Sequence, residues 1–399
     1  MKYVFDDFVV DIAARELLSG GHAVAVEPKV FDVLVHLIEH HDRVVSKDEL
    51  IETVWSGRFI SDTAVSSQVS ALRRALGDDG RAQKYVKTMH GRGFRFVGSV
   101  VTSIAKPAAA KAPAPAGGIP EQDIRYCRSR DGTRIAYAIA GDGPPLVKTS
   151  HWLTHLEYDW ESPIWSHLNR HLLETHRLVR FDARGHGLSE WDVEDLSLDR
   201  QVEDLETVVD EAGLDRFPIL GVSQAAAISI AYAAKHPERV SRLLLFGGFD
   251  CGWRHTGGPR FIATTEALKT VLEGTWGNSP TGQGFCSLLL MPEAPPESQR
   301  WLSDLQQKTS TGKTAVALLE EIGRRDVRHL LDKVQAPTLV VHARRDPAIP
   351  YAAGQRLAAG IRGARFATLD SGNHIIPETD PAWPRCAQLF RDFLAEDAG

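Results

Sequence analysis

Long apolar runs are missing from this chain of 399 residues: no stretch has the length of a membrane span, and the opening residues lack a basic-then-apolar segment. Membrane insertion and secretion are therefore not expected, and a cytoplasmic location is. Cysteine is scarce as well. Cys127, Cys251, Cys286 and Cys386 lie far apart and match neither a zinc pattern nor a close redox pair. Scattered free thiols fit a reducing compartment, and neither a metal nor a cofactor is expected. No sign of charge dominates either, the formal net charge being −6. What remains is a globular composition, long enough for one large core plus a smaller domain.

The stretch Phe217–Gly248 is the most informative part of what is present. Phe217–Val222 is a short apolar run suited to a buried strand, Gln224–His236 is rich in small apolar residues suited to a helix, and Arg239–Phe246 is apolar again. Ser223 falls where the first strand turns into the helix. A tight turn there would expose its hydroxyl beside backbone N–H groups able to hold an oxyanion. The spelling is Gly221–Val222–Ser223–Gln224–Ala225, with alanine where glycine more often closes the motif.

By itself Gly-x-Ser-x-Ala is weak. It gains weight from two residues nearer the carboxyl terminus: Asp346 comes just after the apolar strand Thr338–His342, and His374 after Phe366–Leu369. Serine, then acid, then histidine, each after its own strand, is the order of alpha/beta hydrolases. In that arrangement Asp346 orients His374, and His374 deprotonates Ser223. Taken singly, the same three residues read as a turn serine, a surface aspartate and a loop histidine.

Residues 1–100 read as a separate unit. Tyr3–Val10 and Val24–Val26 are strand-like, Lys29–Glu39 has apolar residues at helical spacing, and Ser46 with Glu49 has the spacing of a capping box for a helix over Lys47–Val54. Asp62 suits the cap of a third helix ending at Leu76, before Gly77. Val65, Val69, Leu72 and Leu76 form its inward stripe; Ser66, Ser67, Ser70, Arg73 and Arg74 lie outward. A hairpin, Tyr85–Thr88 against Phe94–Val97, has the basic tip His90–Gly91–Arg92–Gly93. Charge is unevenly spread: residues 1–53 hold five Lys/Arg and eleven Asp/Glu, residues 54–98 eight and three. A positive face thus falls on the third helix and the hairpin, the parts that could meet phosphate.

These residues resemble the winged-helix DNA-binding domain of OmpR/PhoB-type response regulators, found also in ToxR/CadC-like regulators. The matching marks are Glu27–Pro28–Lys29–Val30–Phe31, Val44–Val45–Ser46–Lys47–Asp48–Glu49–Leu50, Val65–Ser66–Ser67–Gln68–Val69–Ser70–Ala71–Leu72–Arg73–Arg74 and Gly91–Arg92–Gly93–Phe94–Arg95–Phe96. The resemblance implies a third helix in the major groove of double-stranded DNA and a wing in an adjacent minor groove. Ser66, Ser67, Ser70, Arg73 and Arg74 are then the groove-side candidates, with Arg92 and Arg95 on the wing. Paired sites, and hence a homodimer, are expected because one small domain contacts limited DNA.

Residues 101–120, rich in alanine and proline, read as a tether. ToxR/CadC-like proteins usually cross a membrane after the winged helix; here another domain, residues 121–399, comes directly after it. Its turn Asp182–Ala183–Arg184–Gly185–His186–Gly187–Leu188–Ser189 matches one common in alpha/beta hydrolases, with Asp182 and Arg184 read as structural. The domain resembles that fold: a mostly parallel, doubly wound sheet with a helical cap over about 249–331. One departure stands out. Where many such enzymes have His-Gly after an early strand, this chain has Ser150–His151–Trp152–Leu153, resembling a subgroup fused to signalling or DNA-binding modules. The N–H groups of Trp152 and Gln224 are the expected oxyanion pair. Trp152, Ser223, Trp253, Trp276 and His374 are the expected ligand contacts, for a small apolar, aromatic or acyl molecule.

Two functions are therefore expected. One is a one-component transcription regulator whose hydrolase-fold domain senses a small molecule; the other is a serine hydrolase of esterase or lactonase type. Use of the fold for dimerisation alone is a third.

Overall fold

A computed structural model describes residues 2–11, 15–20, 22–24, 26–41, 43–55, 62–78, 83–89, 92–98, 101–103, 120–276 and 289–396. Two compact units divide the chain, residues 1–116 and 117–399. Residues 104–119 of the expected tether, the wing tip His90–Gly91, and Phe285, Cys286 and Leu288 of the expected cap lie outside the described residues.

In the first unit, strands β1 (Lys2–Phe5), β2 (Phe8–Asp11), β3 (Glu16–Ser19) and β4 (His22–Val24) form an antiparallel meander. Tyr3–Val10 is not one strand, because the chain turns at Asp6, whose φ is +45°. Helices α1 (Pro28–Glu39), α2 (Lys47–Trp55) and α3 (Asp62–Ala75) come next, then the hairpin β5 (Val86–Met89) and β6 (Gly93–Phe96). Asp62 is the first residue of α3 instead of its cap. The stripe Val65, Val69, Leu72 and Leu76 is buried against Val30, Leu34, Leu37 and Phe96 in a single core. Gly93, at φ +134°, lets β6 pass close to the loop before α2: a Cβ there would lie 2.0 Å from the Val45 carbonyl.

Strand β7 (Val101–Ser103) pairs antiparallel with β1, so the sheet reads β4-β3-β2-β1-β7. This corrects the expected boundary at residue 100: the first residues assigned to the tether cover an otherwise open strand edge. The Ser46 hydroxyl accepts the Glu49 N–H at 3.1 Å, one half of the expected capping box. Ser46→Ala is expected to cost about 1 kcal/mol, seen as faster amide exchange across residues 47–55 with little change elsewhere.

Among its described residues the second unit has eight strands: β8 (Gln122–Arg128), β9 (Arg134–Ala140), β10 (Pro145–Lys148), β11 (Arg177–Phe181), β12 (Phe217–Val222), β13 (Val240–Phe246), β14 (Thr338–Ala343) and β15 (Arg365–Leu369). Their spatial order is β15-β14-β13-β12-β10-β11-β9-β8, parallel except where β9 meets its two neighbours. β12, β13 and β14 are almost continuously buried, as strands covered on both faces must be. Helices α5 (Leu198–Glu211) and α6 (Ala225–Lys235) pack on one face; α4 (Ser166–Leu173) and the helix Trp383–Ala395 pack on the other. Between β13 and β14 come the cap helices Trp253–Thr256, Pro259–Thr275, Pro296–Thr309 and Gly312–Arg324. Leu272, Trp276, Leu302, Leu305 and Ala315 join the core of the second face. The architecture is a winged helix-turn-helix unit followed by an alpha/beta-hydrolase fold with a helical cap.

Candidate active site

Strand β12 delivers Ser223 to the carboxyl edge of the sheet, where its φ of +54° marks a strained strand-to-helix turn. Small neighbours make the turn possible. A Cβ on Gly221 would lie 2.6 Å from the Ser229 hydroxyl, and one on Gly248 2.4 Å from the Ala226 Cβ. Ala225 is fully buried at the start of α6, so a methyl group is accommodated where the motif more often has glycine.

The structure brings Ser223, His374 and Asp346 together across 151 and 28 residues of chain. His374 Nε2 lies 2.8 Å from Ser223 Oγ, and His374 Nδ1 lies 2.7 Å from Asp346 Oδ2. Asp346 Oδ1 accepts the N–H groups of Ala348 and Ile349 at 2.9 and 2.8 Å. Burial pushes the Asp346 carboxyl up, but His374, the Ile349 N–H and His342 together outweigh it and hold the group below the usual carboxylate range. An ionised Asp346 fixes the Nδ1–H tautomer, leaving Nε2 to accept the serine proton. Gly247, at φ +59°, clears the ring: a Cβ there would sit 3.0 Å from His374 Cε1.

The histidine loop is held from the cap as well. The Leu290 carbonyl accepts the N–H groups of His374 and Ile375 at 2.9 and 3.1 Å. Glu293 accepts the Gly372 N–H at 2.9 Å, and its own N–H donates to Asn373 Oδ1 at 2.9 Å. Spacing in the sequence gave no sign of this clamp, because Glu293 sits in an irregular acidic and proline-rich stretch.

Gln224 is the N-cap of α6, with its N–H beside Ser223. Trp152 lies on the segment after β10, half-buried, with its ring edge-to-face against Trp276 at 5.9 Å. The next residue, Leu153, is buried at φ +57°, a second strained backbone position in this site that the sequence did not announce. Below this segment lie Lys148, Asp159, Arg180 and Asp182, all buried. Arg180 donates to the Leu156 carbonyl at 2.9 Å and pairs with Asp159, while Asp182 accepts the N–H groups of Leu156 and Leu188 at 3.2 and 2.8 Å. Burial pushes the Asp182 carboxyl up to about 6. Through Leu156, Arg180 and Asp182 pin the carboxyl-terminal end of the loop that carries Trp152.

The expected ligand contacts divide. Trp276 is buried, its N–H donated to the carbonyls of Gln306 and Ser310, both at 2.9 Å, and its ring faces Trp152. Trp253 belongs to the cap's own packing: its N–H donates to the Leu319 carbonyl at 3.1 Å, Gly323 lies against its ring, and Arg254 covers it at 4.6 Å.

In the first unit, Ser67, Ser70, Arg74, Arg92 and Arg95 are exposed and Ser66 is half-buried. The hydroxyls of Ser67 and Ser70 return to the helix backbone, at Thr63 and Ser66, and Arg95 donates to the His41 carbonyl at 3.1 Å. Arg73 corrects the outward reading: its guanidinium donates to the Val86 carbonyl and the Thr88 hydroxyl, at 2.7 and 2.8 Å, and ties the hairpin to α3. His36, His40 and Glu49 bring one ligand atom each within 4.8 Å of one another, although Arg43 already engages both Glu49 oxygens. Among the described residues no helix is long and apolar enough to cross a membrane.

Comparison with known proteins bears on this geometry. Residues 153–381, more than half of the chain, match the family model described as the alpha/beta hydrolase fold. The chain belongs to the alpha/beta-hydrolase family. Ahead of its hydrolase domain, residues 21–96 match the model "Transcriptional regulatory protein, C terminal". This hydrolase-family chain is 23% identical over 291 residues to the monoacylglycerol lipase abhd6-B of Xenopus laevis, covering 68% of the chain and 85% of the relative. Its amino-terminal part is 36% identical over 100 residues to the transcriptional regulator HilA of Salmonella typhi, which is 25% of the chain and only 18% of the regulator's length. The enol-lactonase of Burkholderia xenovorans LB400 has the same fold, with a TM-score of 0.57, 24% identity, and coverage of 68% of this chain and all of that one.

Proposed function

We propose that this chain is a serine hydrolase of esterase or lactonase type, carried on one polypeptide with a domain that binds double-stranded DNA. The observation that carries the hydrolase reading is the continuous Ser223–His374–Asp346 hydrogen-bond line. Ser223 Oγ attacks the substrate carbonyl while its proton passes to His374 Nε2. The carbonyl oxygen, now an anion, is received by the N–H groups of Gln224 and Trp152. His374 then protonates the departing alkoxide oxygen, leaving an acyl ester on Ser223. A water molecule, deprotonated by His374, attacks that ester, and the acid departs as the proton returns to Ser223. Asp346 stays ionised throughout and stabilises the imidazolium. The purified full chain should hydrolyse 4-nitrophenyl esters and take up one fluorophosphonate per chain on Ser223; no labelling under conditions that label a known serine esterase overturns the reading.

For the first unit, supporting observations are the match over 21–96 and the exposed Arg74 and Arg92. Binding of the full chain to a mixed-sequence duplex is expected to weaken steeply with salt. Arg92→Ala should weaken it across sequences and reduce the salt slope by about 1. Fluorescence anisotropy at several salt concentrations checks this, and salt-insensitive or absent binding sinks it.

A regulatory reading extends this one: the chain acts as a transcription regulator whose DNA occupancy answers to the molecule held beside Ser223. The cap's hold on the histidine loop, through Leu290 and Glu293, favours it, since a ligand that displaces the cap also displaces His374. A homodimer on paired sites accompanies that reading.

A further inference from the structure

Among the described residues of the hydrolase domain, four arginines are buried. Arg180 pairs with Asp159, Arg184 with Asp204 and Arg242 with Glu396. Arg325, 4% exposed, has no carboxylate partner among the described residues. Glu321, one turn back along the cap helix, acts on it only at longer range and is bound to Arg324. Asp250 is taken by Arg356, and Asp326 by Arg328. Burial pushes the Arg325 guanidinium down to about 10.

Its position is built, not accidental. The Gly252 N–H donates to the Arg325 carbonyl at 2.8 Å, and Cys251 bridges Asp326 alongside. The side chain then reaches the residue just after the nucleophile: Nη1 donates to the Gln224 main-chain carbonyl at 3.0 Å and to Gln224 Oε1. That contact orients the amide with its nitrogen as a donor. Three nitrogens are left buried without an acceptor among the described residues: Arg325 Nε, Arg325 Nη2 and Gln224 Nε2. The free Nε–Nη2 edge is the one with which Arg184 grips both oxygens of Asp204, at 2.7 Å each, and Arg356 grips Asp250. Such an edge matches a carboxylate in spacing and planarity. The amino terminus of α6, eleven residues long, begins at the same spot and favours negative charge.

We propose that Arg325 and Gln224 form a carboxylate subsite beside Ser223, and that the substrate is an ester or lactone bearing a carboxylate on its acyl portion. The substrate part of this rests on the serine-hydrolase reading; the subsite itself does not. The carboxylate lies along the Nε–Nη2 edge with Gln224 Nε2 donating to one oxygen, and holds the acyl chain while Ser223 attacks the other carbonyl.

The test uses the full chain with mono-4-nitrophenyl glutarate and 4-nitrophenyl valerate, esters of equal acyl length that differ in the terminal carboxylate. The expected result is kcat/KM at least tenfold higher for the glutarate ester, and equal or reversed preference overturns the proposal. Arg325→Met should lower the glutarate-to-valerate ratio at least tenfold, with Arg325→Lys restoring part of it. An unchanged ratio in a folded Arg325→Met chain likewise overturns it. Should neither ester turn over, the hydrolase reading fails, and the subsite is read by calorimetry with glutarate. Saturable binding lost in Arg325→Met supports the subsite, and no binding to the wild-type chain overturns it.

Discussion

Ser223→Ala is expected to lower kcat for 4-nitrophenyl ester hydrolysis by at least about 10⁴-fold while changing KM little. The reason lies in what remains. Without Oγ there is no covalent intermediate, and His374 Nε2 loses the group whose proton it accepts at 2.8 Å. On the proposed mechanism the N–H groups of Gln224 and Trp152 remain, and they supply only the residual acceleration common to triad enzymes stripped of the nucleophile. The φ of +54° at residue 223 is set by β12, α6 and the glycines around them, so alanine, close in volume, leaves the turn in place. Initial rates measured beside fluorophosphonate labelling check this. A loss of less than tenfold, or labelling that persists, places the nucleophile elsewhere. DNA binding in the same variant separates the two functional readings: ligand response without turnover means occupancy suffices, and its loss means the response needs chemistry.

Arg184→Met is expected to cost about 3 kcal/mol of hydrolase-domain stability, near the lower end for removing one partner of a buried ion pair. Arg184 is almost wholly buried and grips Asp204 with two hydrogen bonds of 2.7 Å, Asp131 with one of 2.8 Å and the Asp195 carbonyl with another of 3.0 Å. Its loss strands the Asp204 carboxylate in a site 1% exposed. Burial already pushes the Asp204 carboxyl up despite Arg184, so the stranded group escapes part of the cost by taking up a proton. A carboxyl whose folded pKa is raised loses stability as pH climbs from its unfolded value through its folded one, so the variant's deficit should be larger at pH 8 than at pH 5. Guanidinium unfolding at both pH values reads it. A deficit below 1 kcal/mol, or one that grows toward acid, contradicts this account. Replacing Asp204 by leucine as well should restore part of the loss.

Arg184 and Asp182 also show how motif and mechanism differ in what they reveal. The turn Asp182–Ser189 was legible because its glycines are demanded locally: a Cβ on Gly187 would meet the Asp182 carboxylate at 2.2 Å. The partners of Arg184 were not legible, since Asp131 and Asp204 come from a hairpin turn and a helix that only folding brings to it. Arg73 makes the same point in the first unit. Helical spacing assigns it to the outward side of α3, yet the hairpin folds back over it and takes up its guanidinium. Trp253 and Trp276 are alike by composition, and packing makes one a strut of the cap and the other a partner of Trp152.

Order along the chain was enough to nominate Ser223, Asp346 and His374, because a parallel sheet returns every strand to the same edge and so fixes where the residue after each strand must emerge. Periodicity likewise placed the strands Phe217–Val222 and Thr338–His342 and the helices near Lys29–Glu39 and Lys47–Val54, a local consequence of side-chain burial, but it read Tyr3–Val10 as one strand and β7 as tether. Distances between side chains, the cap's grip on His374, the strain at Leu153 and the lack of a carboxylate beside Arg325 among the described residues were decided by tertiary structure alone. Whether a charged side chain finds a counter-ion depends on which distant segments surround it, and no local pattern records that.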